Sequence, residues 1–162
     1  MLNKSGKCFG GAAEQDYDEF AEEFYMAYKY YKFDDRTEMY ELFEKWLDKA
    51  LAQPFPEGLA AVSFNIYEDV GDGCWSMDFV GTDRFDPDDD GDWACFEITT
   101  FDTRDEPFGW ITHKEWEDIE KEAIDMVMKY LECGKYAEKI KECKGVGLGH
   151  VNGDLNILYK KE

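Results

Sequence analysis

The residues whose types and spacing could do chemistry are concentrated in one stretch, Asp86-Pro87-Asp88-Asp89-Asp90-Gly91-Asp92-Trp93-Ala94-Cys95-Phe96-Glu97. It fits the calcium-loop pattern D-x-[DN]-x-[DN]-G-x5-E at each specified position. Such a loop offers oxygens from its first, third and fifth residues, turns sharply at Gly, and closes the shell with a bidentate Glu in twelfth place. Asp86, Asp88, Asp90, Gly91 and Glu97 stand in those places. The surroundings disagree, because an EF-hand carries a helix on each side of its loop. Here residues 75–81 and 98–100 read as strands, and an extended run from Trp93 places Glu97 about 13 Å away at ~3.3 Å per residue. Calcium at Asp86, Asp88, Asp90 and Glu97 is therefore the alternative reading, and a cofactor-free solvated loop the leading one.

Charge gives the loop a second meaning. The chain carries 38 Asp/Glu against 18 Lys/Arg, a formal net charge of -20. Residues 1–110 hold 27 acids and 9 bases (net -18), residues 111–162 hold 11 and 9 (net -2), so the negative field belongs to the first two thirds. Such a surface repels nucleic acid and anionic membrane and attracts cationic proteins or metal ions. With 17% aromatic residues the chain is too rich in core material for a disordered acidic segment. Asp86, Asp88, Asp89, Asp90, Asp92 and Trp93 are the leading candidates for contact with a basic partner. Glu38, Glu41 and Glu44 on a predicted helix face come second. Trp93 and Trp110 read either as exposed apolar anchors inside a charged rim or as core.

Catalytic signatures are missing. GxSxG, HExxH, P-loop and GxGxxG patterns are absent, and carboxylate spacing is uninformative among so many acids. A non-enzymatic protein is the expectation, with a carboxylate-based enzyme as a further alternative. Five cysteines (Cys8, Cys74, Cys95, Cys133, Cys143) without a CxxC pair argue against a disulfide framework and a structural zinc site. Cys95 reads as a buried structural thiol. The two histidines, His113 and His150, leave little for a His-based metal site. No apolar leader and no run of ~18 apolar residues is present, so the expected setting is the cytoplasm.

The elements that must position these residues read as one domain over residues 13–162, preceded by a flexible arm over 1–12. Apolar Tyr17, Phe20, Phe24, Tyr28 and Tyr31 recur at threes and fours and predict a helix over 13–32. Asp34-Asp35 cap a second helix, burying Met39, Leu42, Phe43, Trp46, Leu47 and Leu51 and exposing Glu38, Glu41, Glu44, Lys45 and Asp48, until Pro54 and Pro56 end it. Strands follow at 59–68 and 74–80 around a Gly-containing turn, then at 93–101, with 102–110 as a loop. Thr112 and Glu115 read as a capping box for a long helix burying Trp116, Ile119, Ala123, Met126, Val127, Tyr130 and Leu131. Gly134 breaks that helix, a short one lies within 135–144, and Asn152-Gly153 turns a final hairpin. Gly145, Gly147 and Gly149 mark close backbone packing or a bulge. The order ααβββααββ predicts an α+β domain whose mostly antiparallel sheet of about five strands carries helices on one face.

Three segments together carry a resemblance: Asp88–Cys95, the Trp116-Glu117 pair within 114–117, and Val146–Leu155. Their order is similar to that in small bacterial immunity-type proteins of toxin–immunity systems, over roughly residues 60–160. The resemblance implies a cytoplasmic protein that binds and blocks a toxin domain. It carries no catalytic residues to this chain.

Overall fold

The computed structural model describes residues 30–33 and 35–162. The predicted arm and most of the first predicted helix lie outside them. Tyr30–Tyr31, expected to end that helix, instead forms a short strand, β1.

Helix α1 (Arg36–Leu51) starts where Asp35 leaves extended backbone and its carboxylate accepts the Glu38 N–H at 2.9 Å. This satisfies one of the donors a helix start leaves unpaired. Met39, Phe43, Leu47 and Leu51 recur at intervals of four and are buried, so the helix presents one apolar stripe. Leu42 and Trp46 pack at the edge of that stripe.

The hairpin β2 (Ala61–Glu68) and β3 (Cys74–Thr82) forms in the register Ala61↔Thr82 through Glu68↔Trp75. Its turn depends on Gly73, whose φ of 74° suits glycine, and a Cβ there would lie 2.9 Å from the Thr112 carbonyl oxygen. The other edge of β3 is shared: its first half pairs with β5 (Phe108–Ile111) and its end with β4 (Glu97–Asp102), both antiparallel. The chain then crosses back through α2 (Trp116–Cys133) and α3 (Ala137–Ile140) and lays β6 (Gly145–His150) parallel to β2. A parallel neighbour needs such a crossover. β7 (Asn156–Lys160) closes the final hairpin. The sheet runs β1-β5-β3-β2-β6-β7, with β4 beside β5 on β3.

The α+β class is as predicted. Among the described residues the sheet has seven strands in place of about five, and its direction is mixed, with four antiparallel pairings and two parallel ones. The expected loop at 102–110 hides β5, a four-residue strand too short to show an alternating pattern. The expected strand over 93–101 starts as a 3₁₀ turn (Asp92–Cys95), and β4 follows it.

Alternation along the strands sorts the two faces. Val62, Phe64 and Ile66, facing Phe79, Met77, Val146 and Leu148 across the ladder, point to one core with Phe43 and Leu47 of α1, Ile119, Ala123, Val127 and Tyr130 of α2, and Ile140 of α3. Phe43 meets Phe64 at 6.5 Å and Phe108 edge-on at 5.8 Å. Burying each such side chain contributes about 1.5–3 kcal/mol before the entropy of ordering it.

Two helix details depart from expectation. α2 is preceded by Glu115, which makes no side-chain cap, and the Thr112 hydroxyl accepts Lys114 N–H, so the capping box does not form. Trp116, expected in the core, is 52% exposed, because the first turn of α2 overhangs the sheet end. Gly134 does end α2: a Cβ there would strike the Tyr130 ring at 2.6 Å.

Candidate interaction surface

The second face of the sheet positions the acidic loop. Residues of β2 and β6 alternate, so the glycines of β6 stand on the face away from the helices. A Cβ on Gly145 would lie 2.2 Å from the Phe85 ring, and one on Gly147 would lie 3.0 Å from Trp93. The missing side chains let the segment 83–96 lie flat on the backbone. Phe85 meets Trp93 edge-on at 4.9 Å, and Trp93 is completely buried. Both glycine expectations hold, since β6 also shifts register against β7 between Val146 and Gly147. Trp93 is thus the pin that fastens the loop, and the reading of Trp93 and Trp110 as exposed anchors is corrected: both indoles are core.

The loop backbone is held by its own carboxylates. Asp86 accepts Asp88 N–H at 2.9 Å and Asp89 accepts Gly91 N–H at 3.1 Å. Asp90 (φ 57°) and Gly91 (φ 87°) make the left-handed bend that leads into the 3₁₀ turn. These local bonds explain why a strand does not begin at Trp93: Asp side chains offer the backbone an alternative to the ladder. Asp86, Asp88, Asp90 and Asp92 are exposed and Asp89 is half-buried. None of the five forms an ion pair among the described residues.

The second predicted set lies elsewhere. Glu38 and Glu41 are exposed on α1, while Glu44 is half-buried and accepts the Tyr40 hydroxyl at 3.3 Å. Asp48, expected in solvent, is half-buried and accepts the Tyr130 hydroxyl at 2.6 Å. α1 packs on the helical face and the loop on the other, so the two acidic sets do not meet on one surface. Nor does the calcium pattern come together as a shell. Glu97, its closing ligand, is held by both terminal nitrogens of Arg104 at 2.6 and 2.8 Å. Among the described residues no group of three or more His, Cys, Asp or Glu is gathered as a metal site would need.

Sequence reading missed a polar network beside the loop. Asn65 and Asp78 stand opposite each other on β2 and β3, and the Asn65 amide donates to Asp78 at 3.0 Å. Arg104 reaches Asp78 with Nε at 3.3 Å while its fork holds Glu97. Asp78 is 3% exposed. Burial pushes its carboxyl above the ordinary range, against the opposing pull of Asn65 and Arg104. Burial likewise raises Asp69, which accepts the Tyr30 hydroxyl at 2.6 Å. The signal for the network was present in the period-two polar series Ser63, Asn65 against Ser76, Asp78, which marks a non-apolar face. A second buried carboxylate, Glu122, sits inward on α2 between Arg36 and Lys114.

The thiols also depart from expectation. Cys95 and Cys133 are exposed and Cys143 is buried, and all three are free. No helix among the described residues is long and apolar enough to cross a membrane.

Fold and surface together define an α+β chain whose mixed sheet, seven-stranded among the described residues, carries helices on one face and a pinned acidic loop on the other. Compared with known proteins, the chain matches no family model, no curated protein and no solved structure.

Proposed function

We propose that this chain is a non-enzymatic acidic binding protein whose 86–92 loop receives a basic protein partner. The observation that carries the reading is the loop's construction. Its backbone is fixed by Asp86, Asp89 and the buried Trp93, while Asp88, Asp90 and Asp92 face solvent with no cation paired to them among the described residues. A carboxylate array held in advance loses little freedom on binding. The surrounding field of a chain at -20 can raise the association rate of a cationic partner roughly 10–10³-fold. The carboxylates would occupy the partner's phosphate-binding surface, as an inhibitor of a toxin nuclease does by charge mimicry. An immunity-type role in a bacterial cytoplasm is the specific form of this proposal, supported by the resemblance of residues 60–160.

Recovery of partners from the source cells on the intact protein, followed by stopped-flow association with the recovered protein, tests it. The expected partner is basic, and its association rate falls steeply with salt. Replacing Asp88, Asp90 and Asp92 with Asn slows association and flattens that dependence. An acidic partner, or a rate that the triple variant leaves unchanged, overturns the reading.

A further inference from the structure

A cleft of about 280 Å³ opens on the helical face at the end of the sheet, where the first turn of α2 meets the final hairpin. Ile66 and Trp75 form its floor, Trp116 and His150 a wall, and Val151 part of the rim, with Glu68 beside Trp75. Glu68 and Trp75 are direct ladder partners, so both side chains stand on the same face.

We propose that this cleft receives a lysine or arginine side chain of a polypeptide partner. Three independent features support that occupant. First, the lining is aromatic and acidic and includes no Lys or Arg. A cation's head is attracted to an indole face, and its methylene stem packs on the floor that Ile66 and Trp75 provide. Second, Glu68 is exposed and has no hydrogen-bond or ion-pair partner among the described residues, so its carboxylate is available to the head group. Third, two of the few exposed large apolar residues meet here, Trp116 at 52% and Val151 at 47% exposed. An exposed tryptophan at a cleft is the residue type that dominates binding energetics.

The walls are fixed before any ligand arrives. His150 Nε2 lies 3.1 Å from the Trp116 carbonyl oxygen, and the His150 ring packs edge-on against Trp75 at 5.7 Å and Trp116 at 5.4 Å. The Val151 N–H donates to the Ile66 carbonyl at 3.1 Å, which ties the turn to the sheet end. The volume is at the small end of ligand sites, suited to one side chain rather than a drug-sized molecule.

The test uses the full chain and a capped Gly-Lys-Gly peptide, followed through the indole N–H resonances of Trp75 and Trp116. Saturable shifts at both indoles are expected, with binding weakened about tenfold when the peptide lysine is Nε-acetylated. Glu68→Gln and Trp116→Leu, which alter exposed side chains, should each weaken binding several-fold. The Asp88/Asp90/Asp92→Asn variant should bind the peptide as the parent does, so failure of the loop proposal leaves this one standing, and the reverse. Equal affinity for the acetylated peptide, unchanged binding by both cleft variants, or shifts confined to the loop would each overturn the assignment.

Discussion

The two faces of the sheet are built by opposite means from the same strands. On the helical face, β6 contributes Val146 and Leu148, which fill space against α1 and α2. On the other face the same strand contributes Gly145 and Gly147, which leave space for Phe85 and Trp93. The first face is an apolar core whose stability comes from filled volume. The second is a thin layer in which a buried carboxylate, Asp78, shares the surface with one loop and its two aromatic pins. One face therefore sets the fold, and the other offers a shaped, charged exterior.

Substitutions should separate the faces. The largest effect is expected in the helical core, where Phe64 is completely buried between the Phe43 and Phe79 rings. Phe64→Ala should cost about 3–5 kcal/mol in urea unfolding. Neighbours on β6 should then fail for opposite reasons. Val146→Ala should destabilise by opening a cavity, about 1–3 kcal/mol, and a cavity-filling Ile at the same position should not reproduce that loss. Gly147→Ala should cost about 1–3 kcal/mol by overpacking against Trp93, and Trp93→Phe in the same chain should relieve part of it. Additive costs for Gly147→Ala and Trp93→Phe would show that the loop is not pinned there.

A subtler effect concerns Asp78. Its carboxyl is raised above the ordinary value of 3.8, chiefly by burial. The folded state thus binds that proton more tightly than the unfolded chain. Its contribution to stability is greatest at low pH and declines as pH rises from about 3.8 to the raised folded value, then stays level. The difference in unfolding free energy between the parent and Asp78→Asn should fall across that window and be flat above it. A difference that grows with pH would contradict the burial account.

The smallest effects belong to the loop. Asn at the exposed positions 88, 90 and 92 should change stability by no more than about 0.5 kcal/mol. Calcium near 1 mM should give no measurable heat of binding, since Arg104 already occupies Glu97.

What the chain disclosed in advance follows the same division. α1, α2 and the two hairpins were legible because caps, turns and apolar spacing are local signals, carried by Asp35, Gly73, Gly134 and Asn152-Gly153. The parallel pairing of β2 with β6 joins residues some 84 positions apart (Ala61 with Gly145) and left no local trace. The loop was found as charge, but Trp93 was misplaced because the 3₁₀ turn depends on Asp90 and Gly91 adopting positive φ. Trp116 matched the apolar period of α2 yet stands at the sheet end, where it meets only the edge of His150 and the rim of a cleft rather than the filled core. Asp78 shared a period-two polar series with Ser76, but its partners Asn65 and Arg104 come from other strands and loops, so the network showed only once the sheet was paired.

The central claim is that the exposed aspartates of a pinned loop receive a basic protein. The most direct measurement is the association rate of the recovered partner with the parent and with the Asp88/Asp90/Asp92→Asn chain, across a salt series. A several-fold slower rate at low salt, converging on the parent at high salt, is the predicted result. Identical rates at every salt concentration would contradict it.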